Sequence, residues 1–79
     1  MAKWRALCRL RDNNSCIVCN GSSLLHVHHL NNWIDFPDLR LSVDNGITIC
    51  EGHHIDFHTK YGKSVVKAQF EEYLCLMLP

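Results

Sequence analysis

Two pairs of metal-binding side chains share one spacing: Cys16 with Cys19, and Cys50 with His53, each separated by two residues. That spacing lets two side chains reach one tetrahedral ion from a single tight turn, and a second pair closes the site. Cys16, Cys19, Cys50 and His53 therefore make an expected Cys3His site for structural zinc, with no position left for water or substrate. Other histidines have a different pattern. His28 and His29 are neighbours in a stretch that reads as a strand, so they point to opposite faces. His54 and His58 are four apart in a stretch that reads as a helix, so they stack on one face. An i, i+4 histidine pair grips a divalent ion. A strand histidine packed opposite would complete a three-imidazole site with positions open to water and phosphate, the mark of a catalytic metal. The other strand histidine would point away from that ion. Imidazole exchanges protons near neutral pH, which suits it to general base catalysis.

These side chains need elements to hold them. Residues 3–12 read as a helix with Trp4, Leu7 and Cys8 on its apolar face. Asp12, Asn13, Asn14 and Ser15 break it, and residues 16–21 form the tight turn between the first two thiols. Leu24 to Leu30 reads as a strand, Asn31 to Asp38 as a loop, and Asn45 to Cys50 as a second strand. Glu51 to Tyr61 reads as a helix stopped by Gly62. Ser64 is the expected cap of a last helix ending near Met77, whose core stripe is Val66, Phe70, Tyr73, Leu74 and Met77. Cys8 and Cys75 fall on apolar helix faces and are expected to pack rather than ligate.

Composition sets the frame. A chain of 79 residues is expected to form a single domain, residues 1–79, with a marginal core that needs a staple. Five cysteines and six histidines favour a metal for that purpose, and an odd cysteine count argues against a closed disulfide framework. The basic residues of 1–11 interrupt any secretory pattern, and the longest apolar run, Tyr73 to Leu78, is far short of a membrane span. The expected setting is the reducing cytoplasm, where thiols bind metal. Net charge is zero, but it is unevenly spread. Lys3, Arg5, Arg9 and Arg11 open the chain, and Lys60, Lys63 and Lys67 lie in residues 59–67. The centre, residues 12–58, has six acids against Arg40 alone. Basic flanks around an acidic centre fit a protein that holds a cation centrally and phosphates at its rim, although such runs also occur as plain solvated surface.

The order of these features resembles that of the HNH endonucleases: Cys16-x-x-Cys19, then LHVHHL at 25–30, DNGITIC at 44–50 and HHIDFH at 53–58. It is similar to the zinc-containing phage and intron-type members. The run from Asp44-Asn45 to His58 also resembles the nuclease domains of DNA-degrading colicins. FHTKYG at 57–62 and QFEEYL at 69–74 look like the tail of the phage proteins, so the resemblance covers nearly the whole chain. It implies an α+β fold of the small ββα-metal, treble-clef-like kind, with a zinc knuckle and flanking N- and C-terminal helices.

The resemblance also implies roles. His28, His54 and His58 would bind the catalytic ion (Mg²⁺, Mn²⁺, Ni²⁺ or similar), His29 would take a proton from the attacking water, and Asn45 would hold His29 or its loop in place, or assist at the metal. The reaction implied is hydrolysis of DNA phosphodiester bonds, nicking or cutting both strands, to leave 5′-phosphate and 3′-hydroxyl ends. One departure stands out: the last zinc position is usually Cys and here is His53. Neighbours on a helix point about 100° apart, so His53 and His54 cannot serve one ion. Spacing from Cys50 assigns His53 to zinc, and spacing to His58 assigns His54 to the second site. His26 shares a strand face with His28 and reads as an exposed strand histidine, with DNA or the metal's outer shell as its alternative contacts.

The rival reading is a zinc-stapled DNA-binding or adaptor module without catalysis, or an accessory subunit of a larger phage packaging complex. A chain this short has little room to read sequence, so contacts are expected mainly with phosphates, through Arg5, Arg9, Arg11, Arg40, Lys60 and Lys63. The expected state is a monomer or weak dimer, with no membrane partner.

Overall fold

The computed structural model describes residues 2–78. It is a small α+β arrangement of three helices and one two-stranded antiparallel sheet. Helix α1 spans Ala2–Arg11, strand β1 Leu25–His29, strand β2 Gly46–Cys50, helix α2 Glu51–Tyr61 and helix α3 Lys67–Met77. Two short 3₁₀ turns, Pro37–Leu39 and Val43–Asn45, lie on the long connection between the strands. Among the described residues, no helix is long and apolar enough to cross a membrane.

The strand register decides what each histidine meets. His28 pairs with Ile47 and His29 with Gly46. On one sheet face, His28 packs against Phe57 of α2 and Phe70 of α3. On the other, His29 lies flat against Trp4 of α1, ring centroids 4.1 Å apart and planes within 12°. Gly46 makes this second contact possible: a Cβ there would stand 2.4 Å from the Cys8 sulfur and 2.6 Å from the Trp4 ring. Only a residue without a side chain lets α1 approach this closely. Arg11 and Asp12 fasten the end of α1 to the same strand. Arg11 donates to the carbonyls of Val43 and Gly46, and Asp12 accepts from the Thr48 amide.

The core joins Cys16, Leu30, Ile49, Phe57, Val65, Phe70 and Tyr73. Tyr73 is fully buried, and its hydroxyl donates to Asp56 at 2.8 Å.

Several expectations need correction. Asn45 does not open β2 but closes the preceding 3₁₀ turn, because its side chain is committed to loop carbonyls and amides rather than to a strand face. The last helix starts at Lys67 instead of being capped by Ser64. The Val66 amide donates to Gln69 Oε1 at 2.9 Å, and the Gln69 amide donates back to the Val66 carbonyl. Val65 rather than Val66 enters the core, since the approach to the helix does not follow helical period; Met77 is 37% exposed and also lies outside the core. Cys75 is exposed and so is no packing residue, and Leu7 of α1 is exposed beside buried Trp4 and Cys8.

Candidate active site and metal centres

The knuckle is built by a turn and a helix start. The Cys16 amide donates to the Gly21 carbonyl, and the Asn20 amide to the Cys16 carbonyl, curling residues 16–21. Asn20 adopts a left-handed φ of 61° to close this curl. The Ile17 amide donates to the Thr48 carbonyl, tying the turn to β2. Cys50 ends β2 and precedes α2, so His53 faces back from the first helical turn. The ligand atoms of Cys16, Cys19, Cys50 and His53 all lie within 4.8 Å of one another.

The Cys19 and Cys50 sulfurs are 3.8 Å apart. That is far beyond a disulfide bond. It is the separation of about 3.8 Å expected for two thiolates 2.3 Å from a common tetrahedral ion. Burial acts against ionisation of Cys16, but surrounding hydrogen bonds outweigh it and hold the thiol below its ordinary range. One of these is the Val18 amide, 3.4 Å from the sulfur. This donor set and geometry are compatible with a structural zinc.

The second cluster joins His28, His54 and His58, whose ligand nitrogens also lie within 4.8 Å of one another. His54 Nε2 and His58 Nε2 are 3.1 Å apart. Two imidazole nitrogens about 2.1 Å from one ion would subtend roughly 95° at that separation, an ordinary coordination angle. His58 Nδ1 donates to the Gly62 carbonyl at 2.7 Å, which leaves its Nε2 with a free lone pair. Such an outer hydrogen bond fixes the tautomer a metal needs. Gly62 adopts φ 82°, ψ −166°, a conformation essentially reserved for glycine, and thereby both ends α2 and aims this carbonyl.

His28 is 5% exposed, and its Nε2 is buried with no hydrogen-bond partner. A buried nitrogen without a partner is costly, so this one asks for a ligand. Burial, with His54, His58 and His29 nearby, lowers the His28 pKa to about 3. Burial, with His58 and His26, lowers that of His54 to about 4. Both are therefore neutral at physiological pH, the form that binds metal.

His29 opens onto the same cleft from the other face of β1. A cavity of about 220 Å³ is lined by Val27, His28, His29, Asn32, Trp33, His54, His58, Lys63 and Val65. His29 Nε2 lies 2.9 Å from the Arg40 carbonyl. A carbonyl only accepts, so Nε2 carries the proton and Nδ1 keeps its lone pair.

Asn45 is buried and clasps the loop on both sides of this contact. Its Oδ1 accepts from the Asn31 amide, and its Nδ2 donates to the carbonyls of Asn31 and Leu39. Its own carbonyl accepts from the Leu30 amide. Asn45 thus fixes the residues just after His29 and those just before Arg40.

The six expected phosphate contacts divide. Lys63 lines the cleft, and Arg40 lines the adjoining pocket. Arg11 is occupied by Asp12 and two carbonyls. Lys60 pairs with Asp56 at 3.5 Å and covers the Tyr73 ring. Arg5 and Arg9 lie on α1, outside the cleft lining. His26 is exposed, with its ring 5.3 Å from that of His54. Sequence reasoning missed Trp4 and the Gly62 and Arg40 carbonyls as supports of these histidines. Backbone acceptors leave no mark in residue type, and Trp4 read as an ordinary core residue.

In comparisons with known proteins, no family model, no curated protein and no solved structure matches this chain.

Proposed function

We propose that this protein is a metal-dependent DNA endonuclease of the HNH kind, with a ββα-metal core stapled by zinc at Cys16, Cys19, Cys50 and His53. One observation carries the reading: three imidazoles converge around a buried, partnerless nitrogen, and a fourth, oriented with a free Nδ1, opens onto the same cleft. A pure binding module has no use for that arrangement.

His28, His54 and His58 would hold a divalent ion, which when bound supplies positive charge to the phosphate oxygens as the P–O bond breaks. His29 Nδ1 takes a proton from water as the water oxygen attacks phosphorus. The P–O3′ bond breaks, leaving a 5′-phosphate and, after protonation, a 3′-hydroxyl. The Arg40 carbonyl steadies the imidazolium through the Nε2 proton, and Trp4 keeps the ring in plane. Lys63 supplies a cation at the cleft wall.

The test is supercoiled plasmid incubated with zinc-loaded protein, with and without Mg²⁺, Mn²⁺ or Ni²⁺, wild type beside His29→Ala. Divalent-ion-dependent nicking or linearisation is expected, with the variant slower by about 10²–10⁴-fold, the usual worth of a general base. No cleavage with any ion, alongside a retained gel shift, would replace this reading with the zinc-stapled binding module.

A further inference from the structure

Trp33 is a large aromatic left 43% exposed on the loop after β1, beside Ile34 at 78%. It is not loose. Asn32, immediately before it, donates its amide and its Nδ2 to the Val65 carbonyl, both at 3.0 Å, while its Oδ1 accepts from the Asp35 amide. The Arg40 guanidinium lies 4.4 Å from the centre of the Trp33 ring. Arg40 Nε donates to the Trp33 carbonyl at 2.7 Å, which locks the two together.

The indole also meets His29 edge to face, ring centroids 5.6 Å apart. Trp33 therefore lines two cavities at once. One is the cleft of the imidazoles, and the other is an open pocket of about 510 Å³ formed with Pro37, Asp38, Arg40, Leu41 and Ser42. That volume lies in the range of small-molecule sites and exceeds what a nucleoside needs.

Arg40 covers one face of the indole, so a base would stack on the outer plane of the guanidinium or on the indole surface left exposed. Such stacking tolerates any base because every base offers a π face. Asp38 in the same pocket adds an acceptor for an exocyclic amine.

We infer that Trp33 and Arg40 form a stacking subsite for an unpaired nucleotide next to the phosphate held in the cleft, so that the preferred substrate is single-stranded or locally opened DNA. A base held in a duplex is already stacked on its neighbours and would have to leave them to reach Trp33. This inference rests on the nuclease reading for the identity of the neighbouring phosphate, but its binding step needs no catalytic ion.

The experiment is fluorescence anisotropy of a labelled single-stranded oligonucleotide and its matched duplex, using zinc-loaded protein without added divalent ion. Wild type, Trp33→Ala, Trp33→Phe and Arg40→Gln are compared, with zinc content and melting temperature confirming the fold. Wild type is expected to prefer the single strand. Trp33→Ala should weaken that binding by about 5- to 150-fold, the range for one stacked base. Trp33→Phe should restore most of it, since a phenyl ring still stacks. If Trp33→Ala misfolds, Arg40→Gln carries the test, its expected result a weaker preference for the single strand and an unchanged preference overturning the subsite. Equal affinity for both DNA forms, or a Trp33→Ala protein that binds like wild type, would overturn the subsite.

Plasmid cleavage, measured separately, distinguishes the two failures. Trp33-dependent binding without cleavage keeps the subsite and removes the nuclease. Cleavage with Trp33-independent binding keeps the nuclease and removes the subsite.

Discussion

The two histidine-bearing clusters use the same helix differently. The knuckle takes three sulfurs and one nitrogen from a tight turn, the end of β2 and the start of α2, and these four could fill every position of a tetrahedral ion. The imidazole cluster takes three ring nitrogens from β1 and the body of α2, and faces a cleft. The first geometry joins distant parts of a chain, and the second leaves room for a ligand. Donor number and access, rather than the metal itself, separate a closed site from an open one.

The widest gap between them should appear in stability. Removing zinc with a chelator, or replacing Cys16 by Ser, is expected to unfold the domain. Structural zinc contributes roughly 10–16 kcal/mol in small zinc peptides, more than so small a core supplies. His54→Ala should keep its zinc and its circular dichroism while losing the second ion. Calorimetric titration with Mn²⁺ or Ni²⁺ checks the pair; an apo-protein that melts cooperatively near the holo temperature would erase the contrast.

A smaller effect separates support from ligand. Gly62→Ala places a Cβ where φ is 82°, at a cost of about 1–3 kcal/mol, and shifts the carbonyl that receives His58 Nδ1. The expected result is a lower melting temperature and weaker divalent-ion binding at unchanged zinc content. Unaltered affinity would mean that His58 is oriented by other means.

A further contrast is a dependence on acidity. An unfolded histidine takes up its proton near pH 6.5, whereas the folded chain resists doing so at His28 until about 3 and at His54 until about 4. The unfolded state therefore binds more protons in this window. The stability these residues contribute is complete above pH 6.5 and is lost as pH falls toward 3–4, by up to about 1.4 kcal/mol per unit for each residue. Melts of the zinc-loaded protein between about pH 5 and 7 should show this slope. His28→Phe, which fits beside Phe57 and Phe70, should flatten it; parallel slopes would show that His28 titrates normally in the fold.

What was legible in the sequence follows from period and pitch. The range Glu51–Tyr61 for α2 could be read because Gly62 ends it and the histidine pair repeats at i, i+4. The opposite facing of His28 and His29 follows from the period of two in a strand. The convergence of Cys16, Cys19, Cys50 and His53 follows from matched short spacings. The start of α3 was not legible, because Ser64 is a good cap in isolation while the actual capping contact comes from Gln69. The Asn31 side chain also reaches the first helical amide, Lys67, from across the loop, a long-range contact that no local pattern encodes. The Trp4–His29 stack was hidden for the same reason. It depends on Gly46, which on its own reads only as a flexible residue.

His53 and His54 are consecutive on α2 and belong to different clusters, so one rigid rod serves two ligand sites. Thermodynamic linkage then makes the two occupancies reciprocal. If zinc tightens the second site by fixing α2, a divalent ion in the second site tightens zinc by the same factor. A substrate that reinforced the second ion would in turn protect the zinc against chelators.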